Sequence, residues 1–367
     1  MKKIIAVLLS VAIVFSFAVL PASAAESERN INKEAFKTDY PYIFVHGMGG
    51  WGPDNRFYKI SPYWGGGLMP NAETDLIKIL NEQGVEAYAP SVGPLSSAWD
   101  RACELYAQLT GTVTDYGKAH SERCGHERYG KDFTGKALVE KWDSENKINL
   151  LGHSFGGATI RVFASLMAVG SEEEINATSP EDISPFFTGG KEGYIYSLTS
   201  LAAPHNGTTA YESSDTNTDS AAYDMYIDNA LALNKTLYTS PDTYYFSIPC
   251  SATNKNADGT YTADKKIMEI IFRSSADEIG KITGTTAGGY VFDETWQEND
   301  GLVNTLSAMA PSSAPSAHFD SNNIVKGTWH IMPTYRGDHM SLQGGLLKTN
   351  TDVERLYTEH LDMINAL

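Results

Sequence analysis

Gly152-His153-Ser154-Phe155-Gly156 sets a serine between two glycines, each two positions away. An apolar run over 148–151 leads in, and a helix-compatible stretch over 156–169 leads out. A tight strand-to-helix turn of this kind strains the serine and lifts its hydroxyl above a sheet; a Cβ at either glycine would crowd the turn. The helix starting beneath it directs its positive end at any negative charge that develops there. The pentapeptide alone is a weak signal. The strand before it and the helix after it make Ser154 a candidate nucleophile rather than a plain turn residue.

A serine needs a base beside it, and acyl transfer needs donors for the oxyanion. The stretch FVHGMGGWG, 44–52, closes the first apolar strand with His46-Gly47. Where an elbow serine works, the loop after that strand gives one backbone N–H and the residue after the nucleophile gives the other. Here those are Met48 and Phe155. A phosphate cradle is the rival reading of the glycine run, but no Gly-Lys-Ser/Thr follows it. The acid and the base should come later in the chain, in that order. Asp300 in QENDGLVN precedes a turn glycine, and His339 in YRGDHMS follows the strand-like WHIMPTY. Spacing favours Asp300 and His339. His318, His330, Asp293, Asp320 and Asp338 remain alternatives on the residues alone; His330 lies inside the strand-like run and reads as a packed or edge histidine.

These side chains need a frame. YPYIFVHG, VEAYAPSV, KINLLGHS, GYIYSLTSLAAPHNG and TYYFSIPC read as strands or strand-to-loop segments, while 75–83, 97–109 and 156–169 read as helices. In the first helix Leu76, Ile77, Ile79 and Leu80 make one face, and Gly84 closes it. Strands alternating with helices predict an α/β fold: a mostly parallel sheet with helices on both faces. Residues 111–129 are polar, rich in His and Gly, and show no period. Residues 206–219 and 311–321 read as surface loops. No linker or repeat divides the chain.

The N-terminus reads differently. Lys2 and Lys3, an apolar run over 4–20, and Ala22-Ser23-Ala24 predict a secretory leader cut after Ala24. The apolar run is short for a membrane span and no later one is longer, so the expected protein is secreted and lacks a transmembrane anchor after cleavage. Residues 25–39 read as a loose segment and 40–367 as one catalytic domain. The formal charge of −17, more negative without Lys2 and Lys3, repels phosphate backbones and argues against nucleic-acid partners. It favours neutral substrates. Three cysteines, Cys103, Cys124 and Cys250, cannot pair completely; one disulfide with a free thiol, or three thiols, are both open.

The chain resembles the secreted bacterial true lipases of the Geobacillus-type and staphylococcal group, which are α/β-hydrolases. The likeness is carried by PYIFVHGMGGWG, YWGGG, SVGPLSSAWDRACELYAQLTGTVTDYG, HSERCGHERYG, GHSFGG, AAPHNGTT, SPDTYYFS and ENDGLVNT, and covers most of the chain beyond the leader. It implies a carboxylic ester hydrolase (lipase or esterase) with Ser154 as nucleophile, Asp300 as acid, His339 as base, and Met48 and Phe155 as backbone oxyanion donors. It also implies a structural zinc held by Asp100, His120, His126 and Asp219 in a small extra subdomain, about 100–130 plus 206–240. Two imidazoles and two carboxylates suit tetrahedral zinc, and a set complete without water is structural. The histidines lie six apart, so a loop is expected to carry them. Cys124 and Cys103 lie nearby, and a cysteine in place of one carboxylate is a minor alternative.

Two departures from the group's pattern bear on function. A long helical lid usually separates the PHNG segment from the zinc aspartate, but only residues 208–218 do so here. The lid is cut down, which opens the cleft to bulky esters, including polyester chains. Acidic calcium ligands after the base are missing from HMSLQGGLL, so calcium is not expected. The expected partners are acylglycerols and other apolar esters, including a polymer or lipid-droplet surface. Met48, Trp51, Phe155 and Tyr58 are candidate apolar lining. A serine acyltransferase or peptidase on the same fold, and a non-catalytic binding protein, are the alternatives.

Overall fold

The computed structural model describes residues 39–59, 61–65, 75–211, 213–347, 350 and 352–367. The secretory leader expected over 1–24 and nearly all of the loose segment over 25–39 lie outside the described residues. Seven strands form one sheet: β1 (Tyr42–Val45), β2 (Ala87–Tyr88), β3 (Ile148–His153), β4 (Ile195–Leu201), β5 (Tyr244–Ile248), β6 (Ser316–His318) and β7 (Trp329–Ile331). Their order is β6-β7-β5-β4-β3-β1-β2, and every neighbouring pair is parallel. Four helices matter for the sites: α1 (Leu76–Glu82), α2 (Ala98–Thr110), α3 (Lys118–Cys124) and α4 (Phe155–Val169).

Strand β1 shows why the sheet reads as continuous apolar runs. Tyr42 and Phe44 pack on one face with α1 and the C-terminal helix Asp352–Asn365, while Ile43 and Val45 pack on the other with α2 and α4. Both faces are covered, so alternation between apolar and polar residues has no role. All six residues of β3 are buried. The chain order reverses between β1 and β3, which lie side by side with Val45 opposite Gly152. In an open parallel sheet, the crevice beyond the carboxyl ends at such a reversal is where ligands bind.

Several segments depart from the sequence reading. Residues 111–129 are ordered: Val113–Asp115 pairs antiparallel with Tyr129–Asp132, with α3 between them. The Glu174 carboxylate accepts the N–H groups of Ala119 and His120, so side chain–backbone bonds do what apolar periodicity does elsewhere. The start of the 206–219 loop is not at the surface. Residues 206–210 are buried, with the Thr208 hydroxyl donating to the Leu302 carbonyl and the Thr209 N–H to Asn304 Oδ1. Within 311–321 the exposed edge strand β6 forms. All three cysteines are free thiols; Cys103 and Cys250 are buried. Among the described residues no helix is long and apolar enough to cross a membrane.

Candidate active site and metal group

Ser154 stands between β3 and α4 with φ 55° and ψ −128°. A left-handed φ in a non-glycine residue costs roughly 1–3 kcal/mol and persists only where its surroundings enforce it. The Ser154 N–H donates to the Leu201 carbonyl at 2.8 Å, and its own carbonyl accepts from the Gly157 N–H at 2.9 Å. A Cβ on Gly152 would lie 2.4 Å from the Gly156 oxygen, and one on Gly156 would lie 2.2 Å from the Val45 oxygen. Both glycines are therefore needed where β1, β3 and α4 converge. Ser154 occupies the N-cap of α4, yet its hydroxyl makes no capping bond. It faces His339 instead, at 2.8 Å from Nε2.

His339 Nδ1 lies 2.8 Å from Asp300 Oδ2. Asp300 Oδ1 is already engaged by the N–H groups of Leu302 and Val303, at 3.0 and 2.8 Å. The His339 N–H also donates to the Asp300 carbonyl at 2.9 Å. A carboxylate cannot donate, so Nδ1 carries the imidazole proton and Nε2 presents its lone pair to the Ser154 hydroxyl. All three residues are buried.

The rival residues sit elsewhere. His330 is buried in β7 and bonds to the backbone of Val325. His318 is exposed on the edge strand. Asp293 caps the turn at 294–296, and Asp320 accepts from the Asn322 N–H within its own turn. Asp338 is buried and accepts from the Glu269 and Met340 N–H groups.

The Gly47–Met48 peptide borders the serine: a Cβ on Gly47 would lie 2.8 Å from Ser154 Cβ. Among the described residues neither the Met48 N–H nor the Phe155 N–H donates to a protein acceptor. A buried relay that the sequence reading missed joins this loop to His339. The Gly47 N–H donates to the Tyr63 hydroxyl oxygen at 3.0 Å, that hydroxyl lies 2.6 Å from His153 Nδ1, and His153 Nε2 lies 2.7 Å from the His339 carbonyl. The carbonyl only accepts, so His153 Nε2 carries the hydrogen and Nδ1 accepts from Tyr63. Burial, helped by the nearby His339, pushes His153 down to about 3, so it is neutral. Its partners lie 90 and 186 residues away, beyond the reach of any local pattern.

The cleft over Ser154 and His339 is lined by Met48, Trp51, Leu95, Tyr211, Met225, Phe272, Leu302, Val303 and Met340. Two of the four residues named from sequence, Met48 and Trp51, are among them. Phe155 and Tyr58 are not. The Phe155 ring is fully buried under the Arg101 guanidinium, because the elbow directs its backbone, not its side chain, at the cleft. Tyr58 packs into the opposite core, with its hydroxyl 3.5 Å from Asp75.

At the first turn of α2, a second constellation closes. Asp100 Oδ1 lies 3.1 Å from His120 Nε2 and 3.9 Å from His126 Nε2. Asp219 lies 3.4 Å from each imidazole, through Oδ1 to His120 and Oδ2 to His126. His126 Nε2 and Asp219 Oδ1 are buried and make no hydrogen bond among the described residues. Four donors around one ion with bonds near ~2 Å sit about 3.3 Å apart, so the spacing and the orphaned atoms fit a bound cation. Burial lowers the His120 pKa, but Asp100 and Asp219 outweigh it and hold it up at about 9; the carboxylates favour positive charge there. His120, Cys124, His126 and Asp219 also form a group able to hold a metal ion, with Cys124 Sγ 3.9 Å from His120 Nδ1. A loop does not carry both histidines: His120 is on α3, which ends at Gly125 (φ 79°), and the turn there brings His126 back beside it.

A family model described as "Lipase-like, C-terminal domain" matches residues 38–218 and 213–367. A protein of Staphylococcus epidermidis named "Lipase" is 30% identical over 390 residues, covering 91% of this chain and 54% of the relative. The chain thus spans about half the length of the curated relatives it matches. Among solved structures, EstA from Clostridium botulinum superposes with a TM-score of 0.82 at 30% identity, covering 98% of both chains. The Staphylococcus hyicus lipase superposes with a TM-score of 0.79 at 27% identity, covering 94% of this chain and 98% of that one.

Proposed function

The chain belongs to the lipase-like C-terminal domain family and has the α/β-hydrolase fold of its staphylococcal lipase relatives, and from that premise we propose that it is a secreted carboxylic ester hydrolase acting through Ser154, His339 and Asp300. The observation that carries this reading is the continuous line from Asp300 Oδ2 through the His339 ring to Ser154 Oγ, 2.8 Å at each step.

The cycle follows from the proton positions. Ser154 Oγ attacks the ester carbonyl carbon as its proton passes to His339 Nε2. The carbonyl oxygen becomes an oxyanion, held by the N–H groups of Met48 and Phe155. The C–O bond to the alcohol breaks, and His339 returns the proton to the leaving oxygen. Water then repeats the sequence on the acyl-enzyme and releases the acid. Asp300 stabilises the imidazolium formed in each half. The cleft lining is apolar and the chain strongly acidic, which suits neutral acyl esters. Between Gly207 and Asp219, Thr208, Ala210 and Tyr211 are used as cleft wall, which leaves little chain for a lid; this supports entry of bulky esters, polyesters included. The leader over 1–24 would take the protein out of the cell.

A comparison of rates on soluble short-chain, emulsified long-chain and polymeric esters tests the reading. Turnover on all three, with no jump at the solubility limit, is the expected result. Cleavage of matched amides, run beside them, without any ester turnover would overturn the ester class, and a sharp jump would overturn the open cleft.

For the second constellation the proposed ion is a structural zinc, held by Asp100, His120, His126 and Asp219, in a subdomain of about 100–130 plus 206–240. Zinc there would tie α2, α3 and the 219 turn together. Metal analysis should find about one zinc per chain. Stripping it with a chelator should lower the melting temperature by roughly 5 °C, as expected for a ligand at ~100 times its Kd, worth about 2.7 kcal/mol. An unchanged melting curve after complete stripping would remove the structural role.

A further inference from the structure

Arg101 is fully buried, and its guanidinium bonds to no carboxylate among the described residues. Instead Nε donates to Thr159 Oγ1 at 2.9 Å, one terminal nitrogen donates to the Gly47 and Gly93 carbonyls at 3.3 and 3.0 Å, and the other donates to the His46 carbonyl. Burial lowers its pKa to about 10, so it stays cationic. Holding a charge in a core on neutral acceptors, with Glu104 nearby but not bonded to it, is costly, and its bonds show where the charge acts. The Gly47 carbonyl belongs to the same peptide unit as the Met48 N–H, and no cis peptide bond occurs among the described residues. In a trans peptide the C=O and N–H point in opposite directions, so fixing one aims the other.

Two further donors act on that carbonyl, and one is the Gly50 N–H at 3.2 Å. His46 Nε2 accepts from the Val92 N–H at 3.2 Å, so Nδ1 carries the hydrogen and donates to the Gly47 carbonyl at 2.9 Å. Three donors on one carbonyl also polarise the N–H of the same peptide, strengthening its bonds by ~10–30%. On the other side, Thr159, the acceptor for Arg101 Nε, donates its own hydroxyl proton to the Phe155 carbonyl at 3.1 Å. The arginine therefore bonds directly to the backbone of one segment that presents an N–H group at Ser154, and reaches the other through the Thr159 hydroxyl.

Building on the hydrolase reading above, we infer that Arg101 is a positioning residue for the oxyanion site, clipping the Gly47–Met48 peptide to the first turn of α4 so that the Met48 and Phe155 N–H groups converge on one point. It touches no substrate. Its effect falls on the tetrahedral state, where negative charge is formed, and little on the bound ester.

The test uses Arg101→Lys and the isosteric Thr159→Val, with active sites counted by phosphonate labelling of Ser154. Arg101→Lys should lower kcat per labelled site about 10²-fold, the size of losing one oxyanion donor, with KM within ~3-fold. Affinity for a boronic acid, whose tetrahedral adduct places an oxygen between the two N–H groups, should fall in parallel. Thr159→Val should give a smaller loss of the same pattern, about 5–10-fold. If Arg101→Lys fails to fold, Thr159→Val decides alone. Unchanged kcat per labelled site and unchanged boronate affinity, with only a lower melting temperature, would make Arg101 a core residue and overturn the inference. Wild-type protein that neither turns over esters nor takes the label would overturn the hydrolase reading instead.

Discussion

Alanine in place of Ser154 is expected to lower kcat on esters by about 10⁵–10⁶, the scale seen when a triad nucleophile is removed. The reason is geometric. Among the described residues no other hydroxyl or thiol shares His339 Nε2, the Thr208 hydroxyl at the cleft is engaged by the Leu302 carbonyl, and Cys250, though near enough to feel Asp300, is buried with its thiol pushed well up by desolvation. The fold should survive the change. The Ser154 backbone bonds do not involve the hydroxyl, and its side chain caps no helix. Replacement can even relieve little strain, because alanine meets the same positive φ. Circular dichroism and melting should match the parent, while ester turnover drops to background. Retention of more than a hundredth of the parental kcat would remove Ser154 from the chemistry.

Asparagine in place of Asp300 is expected to lower kcat by about 10⁴ through a proton in the wrong place. The Leu302 and Val303 N–H groups both donate to Asp300 Oδ1, so the amide oxygen of asparagine must take that position. Its NH₂ then faces His339 Nδ1. Two donors cannot face each other, so Nδ1 gives up its hydrogen and Nε2 takes one. An Nε2–H opposite Ser154 cannot accept the serine proton. The loop at 300–303 stays tied and the fold intact. The measurement is kcat for Asp300→Asn against Asp300→Ala. Asparagine, though closer in shape, should be no better than alanine. A near-normal rate for asparagine would mean that the tautomer of His339 does not matter.

The outline of the fold was legible because it rests on local pattern. The apolar runs at 42–45 and 148–153 and the helix at 155–169 need only their own neighbours to be recognised. The elbow was legible as a pentapeptide, although only Gly152 meets backbone a few residues away; Gly156 meets Val45 on the neighbouring strand. Elements fixed by distant partners were not legible. Helix α3 forms in a stretch with no apolar period because Glu174 caps it from more than fifty residues away. Residues 206–210 look like a surface loop but are drawn inside by bonds to 302 and 304. Phe155 looks like cleft lining by its place in the motif, yet its ring turns into the core beneath Arg101. Within WDRACE, Asp100 could be picked out by resemblance as a metal ligand. Its neighbour Arg101 could not be given a role, because three of its four acceptors are backbone carbonyls, which leave no trace in a sequence.

Hydrolysis through this site requires the Ser154 hydroxyl to become an acyl ester during turnover. Rapid quenching of the protein with a slowly deacylating ester, followed by mass measurement of the intact chain and its peptides, tests this directly. The expected result is one acyl group per chain, on the peptide holding Ser154, appearing no slower than turnover and absent from Ser154→Ala. Steady ester hydrolysis with an unmodified Ser154, or an acyl group carried by a different residue, would contradict it.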